Sequence, residues 1–324
     1  MKGLFSKERP RLCNNPKNSN SMKKLPLFLL ALLLAAVHAQ ARPHFLITEI
    51  TYGPPEQNVV LPKAINNLGQ VTGSLLDQYA DFYAFFYSGG QTVEIPSVYD
   101  TTGLAINNHG VVAGGYSDGY GSFIWPGTLI PFGPANSFAH GINNSGTVVG
   151  GPSAYVYQSG VVIDLGLGPE SIATGINNSG QVVGNNGSGG TFLWRNGHIT
   201  SLPLLNAIAI NNNGDILGNI QSASGNPQPA IYVHGQFISI PIPAEASDAL
   251  AYALNDKDDV VGVIVVSGVS EPFLWNGRFW MLNSVIPATS GWVLEQVAGI
   301  NDKGQIVGYG TLNGAEAGYI LTPQ

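Results

Sequence analysis

The chain is 324 residues long, 44% apolar and 10% charged, with 42 glycines, one cysteine and a formal net charge of −7. A disordered chain would need the reverse balance of apolar and charged residues, so this is a folded protein. Its acidity repels phosphate backbones, which sets aside nucleic acid and anionic membranes as partners.

Met22 opens a stretch of two lysines, an apolar run from Leu25 to Val37 and the tripeptide Ala39-Gln40-Ala41. This is the layout of a secretory signal with an A-x-A cleavage site. The run is shorter than the ~18 residues a spanning helix needs. We therefore expect a start at Met22, cleavage after Ala41, and a secreted chain, extracellular or periplasmic, with no membrane insertion after cleavage. Residues 1–41 hold 7 of the 13 Lys/Arg and 1 of the 20 Asp/Glu, which leaves 6 basic against 19 acidic residues in 42–324. The single cysteine, Cys13, also precedes the cut, so the mature chain has no disulfide, thiol nucleophile or cysteine metal site.

From His44 onward one unit recurs. A lone strand, HFLITEI (His44–Ile50), precedes seven near-copies of a ten-residue segment: AINNLGQVTG, AINNHGVVAG, GINNSGTVVG, GINNSGQVVG, AINNNGDILG, ALNDKDDVVG and GINDKGQIVG. Their aliphatic lead residues are Ile65, Ile106, Ile142, Ile176, Ile210, Leu254 and Ile300, spaced 41, 36, 34, 34, 44 and 46 residues apart. An aromatic or apolar strand follows each copy (AFFY, SFIW, AYVY, TFLW, AIYV, PFLW, GYIL), and after the first six come a glycine turn and a further apolar strand. Each unit thus reads as four short antiparallel strands, A to D, and a four-stranded unit of this length is the size of a propeller blade. The seventh unit stops after its third strand, and His44–Ile50 resembles the missing fourth. We expect an all-β, seven-bladed β-propeller over residues 42–324, its last blade completed by the N-terminal strand; closure of the ring removes the open edges that an alternative β-solenoid would keep.

The GINNSGQVVG and F-L-W segments resemble the HAF family of extracellular repeat proteins, found mostly in bacterial exported proteins, and the resemblance covers Phe45 to Pro323. The name-giving His-Ala-Phe triplet is replaced here by YAF, GSF, SAY, GTF, PAI, EPF and AGY. The resemblance implies secretion and a repeat fold, and brings no activity or catalytic residue to carry over.

The repeated turn has a local explanation. Asn at its first position (Asn66, Asn107, Asn143, Asn177, Asn211, Asn255, Asn301) accepts a hydrogen bond from a following amide, and the fourth position takes φ > 0, supplied by glycine in six copies and by Asp258 in one. The glycine read as ending each B strand (Gly73, Gly114, Gly150, Gly184, Gly218, Gly262, Gly308) allows a bend or close packing. Two other readings of these loops are weaker. Glycosylation sequons at Asn143, Asn177 and Asn186 are short and common. Calcium loops at Asn211–Asp215 and Asn255–Asp259 are spoiled by Ile216 and by Lys257 and Val260.

Catalytic chemistry is sought and not found. Gly115-Tyr116-Ser117-Asp118-Gly119 matches G-x-S-x-G, but between two strands rather than on a strand-to-helix turn. The mature histidines, His44, His109, His140, His198 and His234, show no zinc-ligand spacing and read as surface or packed neutral imidazoles. Trp125, Trp194 and Trp275 recur at one strand position and read as core between blades. No metal or cofactor motif appears, and the chain reads as a monomer.

Function, if it lies on this domain, is expected on the face of the B–C and D–A connections, since the A–B and C–D turns are uniform. The connection between the B-strand glycine and the next aromatic-strand position varies from 4 intervening residues (Gly150 to Tyr155) to 12 (Gly218 to Ile231), and SVIPATSGWVLEQVAG is the longest D–A link. That face carries Tyr79, Tyr99, Tyr116, Tyr120 and Trp292 beside carboxylates including Asp77, Asp248, Glu295 and Glu316. We read a non-enzymatic binding or interaction module for extracellular glycan or protein. The alternatives are a carbohydrate-active hydrolase or lyase using paired loop acids, and a structural surface protein without a small ligand.

Overall fold

The B-strand segments are near-continuous apolar runs, such as VVGVIVV at Val260–Val266, because both of their faces are covered by neighbouring blades. The outermost segments, such as Val161–Asp164 and Gln236–Ser239, are exposed along their whole length. This burial gradient belongs to blades radiating from an axis. The computed structural model describes residues 42–53, 58–222 and 225–324; the expected signal segment lies outside the described residues. Seven four-stranded antiparallel sheets follow one another around a ring. Blade 1 is Asn58–Ile65, Val71–Asp77, Phe82–Ser88 and Gln91–Glu94, and blade 4 is Ile172–Ile176, Val182–Asn185, Thr191–Arg195 and His198–Leu202. Blades 2, 3, 5 and 6 repeat this order.

Blade 7 joins the two ends of the propeller. Its strands Trp292–Ile300, Ile306–Leu312 and Ala315–Pro323 are completed by Phe45–Ile50, which pairs with the last strand from Phe45 opposite Pro323 to Ile50 opposite Gly318. The Gln324 amide extends the ladder to the His44 carbonyl at 3.0 Å. The expected closure is therefore the one found. Between blades lies the core: Ile50 and Ile320 of blade 7 pack with Val60, Val71 and Phe85 of blade 1, and Leu217 and Ile231 of blade 5 pack with Val260 and Phe273 of blade 6. Trp125, Trp194 and Trp275 lie in or against such clusters, as expected.

Two details differ from the sequence reading. The repeated glycine ends no B strand: the strand runs on by one or two residues in blades 2, 3 and 4, to Tyr116, Gly151 and Asn185, and furthest in blades 1, 5, 6 and 7, to Asp77, Gln221, Val266 and Leu312. Extra residues there lengthen a hairpin instead of a loop, because paired backbone satisfies its own polar groups. Likewise, the long link before blade 7 folds into a helical turn at Leu282–Val285 and a strand from Trp292, so Trp292 stands on a strand and packs edge-on against Tyr319, ring centroids 5.9 Å apart.

Candidate functional site

Each A strand carries an extra residue at one shared place, and those of blades 6 and 7 carry a second one nearer their start. The pairing of strands A and B slips between Pro62 and Ala64, and at the equivalent place in the other six blades, leaving Lys63, Leu104, His140, Thr174, Ile208, Tyr252 and Ala298 as bulged residues. The repeated B-strand glycine makes this possible. A Cβ built on Gly73, Gly114, Gly150, Gly184, Gly218, Gly262 or Gly308 would overlap a carbonyl oxygen of strand A, so only glycine lets the kinked strand come in. A bulge re-aims its side chain, and here all seven line a central cavity of about 490 Å³ together with Pro62, Gln296, Val297 and Tyr309. The residue after each bulge is alanine or glycine in every blade, since adjacent A strands approach closely at the axis: a Cβ on Gly175 would lie 3.4 Å from the Cα of Ala209 in the next blade.

Below that waist the turns form a closed structure. The Oδ1 of each first Asn accepts the amides two residues on (2.9–3.1 Å) and four residues on (2.9–3.0 Å). The fourth turn position has φ between 63° and 89° in all copies, Asp258 included. The local turn chemistry is as expected. What the sequence reading missed is the other arm of the amide. Each Nδ2 donates to the backbone carbonyl of the first Asn in the next blade, at 2.7–3.2 Å, and the circle closes from Asn301 back to Asn66. A second circle runs beside it: the amide of each second turn residue donates to the side-chain oxygen of its counterpart in the next blade, at 2.8–2.9 Å. These roles explain the composition. The first position must both accept and donate, so it is Asn in all seven copies; the second need only accept, and Asp256 and Asp302 serve as well as Asn.

The two circles also engage most of the groups on which the weaker readings depended, Asn186 lying outside both. Asn143 and Asn177 are buried with Nδ2 engaged, so their sequons present no free amide in the folded protein. Asn211 and Asn255 spend Oδ1 on their own turns, and the described residues contain no group of three or more His, Cys, Asp or Glu able to hold a metal ion. Ser117 follows the strand Val112–Tyr116 in a tight turn, with its amide bonded to the Asp100 carbonyl at 3.0 Å.

At the cavity mouth the Thr174 hydroxyl donates to the Ala207 carbonyl at 3.2 Å, and the other polar side chains are unspent. Lys63, His140, Tyr252 and Tyr309 line it without a hydrogen bond or ion pair to any described residue. Burial pushes the His140 imidazole down, which keeps it neutral near pH 7. Burial, then Tyr309 and Asp248, push the Tyr252 phenol up; burial, then Glu295 and Glu316, do the same to Tyr309. His140 is thus a packed, neutral imidazole that, as a bulged residue, also lines the cavity.

Of the aromatic residues expected to bind, three come together. Tyr99 stacks on Tyr120 at 4.0 Å, and buried Tyr116 meets both edge-on at 6.3 Å. A groove of about 460 Å³ runs past Tyr99, Tyr116 and Trp125. Tyr79 stands apart, 75% exposed at a hairpin tip where Asp77 accepts its amide at 2.8 Å. Trp292 belongs to blade 7, as described above. Among the loop acids, Asp248 accepts the Ala249 amide at 2.8 Å and Glu271 accepts from Asn283 at 3.2 Å, so several carboxylates serve their own loops.

No family model and no curated protein matches the chain. Solved structures do. A puromycin-hydrolyzing peptidase of Mycobacterium tuberculosis is similar with a TM-score of 0.52 and 12% identity over 79% of this chain and 49% of its own. An acylaminoacyl peptidase of Pyrococcus horikoshii gives 0.50 and 11% over 82% and 52%, so the chain spans about half the length of either peptidase. The β-propeller domain of the Trilobed protease from Pyrococcus furiosus, described as having an open velcro topology, gives 0.50 and 11% over 84% and 94%. At such identities the likeness concerns the fold: this chain is a seven-bladed β-propeller repeat protein whose ring is closed by strand pairing between its ends.

Proposed function

We propose that the chain is a secreted, non-enzymatic binding module of the HAF-repeat type, which takes an extracellular glycan or protein on the face where the central cavity opens. One observation carries this reading. Seven structurally equivalent bulged positions hold seven different side chains, while the residue after each is alanine or glycine in every blade and the residue before it is alanine in four of the seven. A scaffold that is regular except at one ring of cavity-facing positions is built to present that ring. The cavity lining includes no carboxylate, so hydrolysis by a pair of acids, the rival reading, has neither member there.

The test is a screen of the full chain against glycans and exported proteins, with Tyr252→Ala as the probe of place. Capture that is lost in the variant at unchanged unfolding midpoint supports the reading; retention of nothing, or capture indifferent to Tyr252, overturns it. Secretion is tested separately by N-terminal sequencing of exported protein, with Arg42 as the expected first residue.

A further inference from the structure

Residues 42–324 hold 6 basic and 19 acidic residues, yet the cavity is lined by one cation, Lys63, and by no acid. An exposed ammonium without a partner at the mouth of a cavity that no acid lines favours an incoming negative charge. Around it Tyr252, Tyr309, His140 and Gln296 present hydroxyl, imidazole and amide groups. None of these side chains is committed to a described residue. Leu104 and Ile208 supply apolar surface in the same lining. We propose, on the basis of the binding reading above, that the cavity takes a sugar acid: a polyhydroxylated ring with one carboxylate, the carboxylate on Lys63, the hydroxyls on the uncommitted polar groups, and the C–H face of the ring against Leu104 in the blade next to that of Lys63.

The number of charges follows from the surroundings. Asp248, Glu295 and Glu316 lie close enough to act on the two tyrosines. They oppose every anion in the cavity, and its single ammonium offsets that for one carboxylate and not for a second, so the site favours a monoanion over a polyuronate. The volume of about 490 Å³ lies within the roughly 300–1,000 Å³ of small-ligand sites.

The experiment is calorimetric titration of the full chain with glucuronate, glucuronamide, glucose and trigalacturonate, repeated on Lys63→Met. Glucuronate should bind about tenfold or more tightly than glucose or glucuronamide, the yield of one charge-assisted hydrogen bond. The advantage should fall below about twofold in Lys63→Met, and trigalacturonate should bind more weakly than glucuronate. Equal affinity for acid and neutral sugars, a preference that survives in Lys63→Met, or tighter binding of trigalacturonate overturns the proposal while leaving a glycan-binding module standing. Binding of none of the four overturns the proposal, and the screen described above then decides whether the wider reading falls with it.

Discussion

At the turn face every blade places an asparagine, and three residues upstream along the same seven strands, at the cavity mouth, no two blades place the same side chain. The difference lies in what each side chain must satisfy. The turn asparagine answers two amides in its own blade and a carbonyl in the next, so any change leaves buried polar groups unpaired. The mouth residue lines a cavity and, Thr174 apart, makes no side-chain hydrogen bond to the scaffold. Regularity therefore marks where the ring is held together, and irregularity marks where it is free to meet something else.

The glycine that admits the bulge links the two regions, and breaking it should have the largest effect. In Gly184→Ala the new methyl would overlap the Ile172 carbonyl oxygen and crowd the Phe192 ring. Backbone must move to relieve it, so the expected loss is about 3 kcal/mol or more, read from urea unfolding. A loss under about 1 kcal/mol would mean that the bulge is not anchored by this contact.

Next comes the turn asparagine. Asn177→Ala leaves the Ser179 and Gln181 amides and the Asn211 carbonyl without their partners, at an expected cost of about 2–3 kcal/mol. Its neighbour sharpens the comparison. Asn178→Asp keeps the oxygen that accepts the Asn144 amide and repeats the choice already made at Asp256 and Asp302, so it should cost under about 0.5 kcal/mol. Asn177→Asp keeps the acceptor but loses the donor and adds a buried charge; it should behave like alanine. Equal costs at 177 and 178 would overturn the division of roles between the two circles.

Much of this was legible in the sequence, for local reasons. Asn with a left-handed fourth residue specifies its turn within five residues, the repeat spacing counts the blades, and the spare strand at Phe45–Ile50 declares the closure. The bridges between blades were not read, because each joins residues 34 to 46 apart, or 235 apart at the closure. Their trace was nevertheless present in the strict Asn at the first position and the relaxed Asn or Asp at the second. The mouth left a trace too, in the pattern small, variable, small, aliphatic: Ala139-His140-Gly141-Ile142 and Ala173-Thr174-Gly175-Ile176. It escaped notice because a bulge depends on how closely two strands approach, which spacing along one strand does not express. The cluster of Tyr99, Tyr116 and Tyr120 had no trace, since it joins a D–A link to the hairpin that follows it.

A smaller effect, of opposite sign, is expected at the one turn that breaks its own rule. Asp258 holds φ at 63°, where the other six copies have glycine. Burial first, then Asp215, pushes its carboxyl above the ordinary range. Asp258→Gly should stabilise the fold by about 1 kcal/mol at neutral pH through relief of the left-handed conformation. The pH dependence has a definite sign. A carboxyl whose pKa is raised by folding binds more protons in the native state, so its ionisation penalises the fold as pH rises through the raised value. The penalty disappears below the ordinary carboxylate range, so the advantage of the glycine variant should shrink between pH 7 and about pH 4. Unfolding midpoints of the two proteins across that range check it; an advantage that grows on acidification would overturn the assignment.

The smallest expected effect on stability is at the mouth, and it decides between the two regions most directly. Lys63→Met and Tyr252→Ala alter exposed side chains that bond to no described residue. Each should change the unfolding free energy by less than about 0.5 kcal/mol. If either instead costs as much as Asn177→Ala, its side chain is part of the scaffold, and the mouth is variable for some reason other than recognition. If both are neutral while ligand capture is lost, stability and binding occupy opposite ends of the same short strands. The asparagine circles then hold the cavity rigid, and the bulged residues are free to select what enters it.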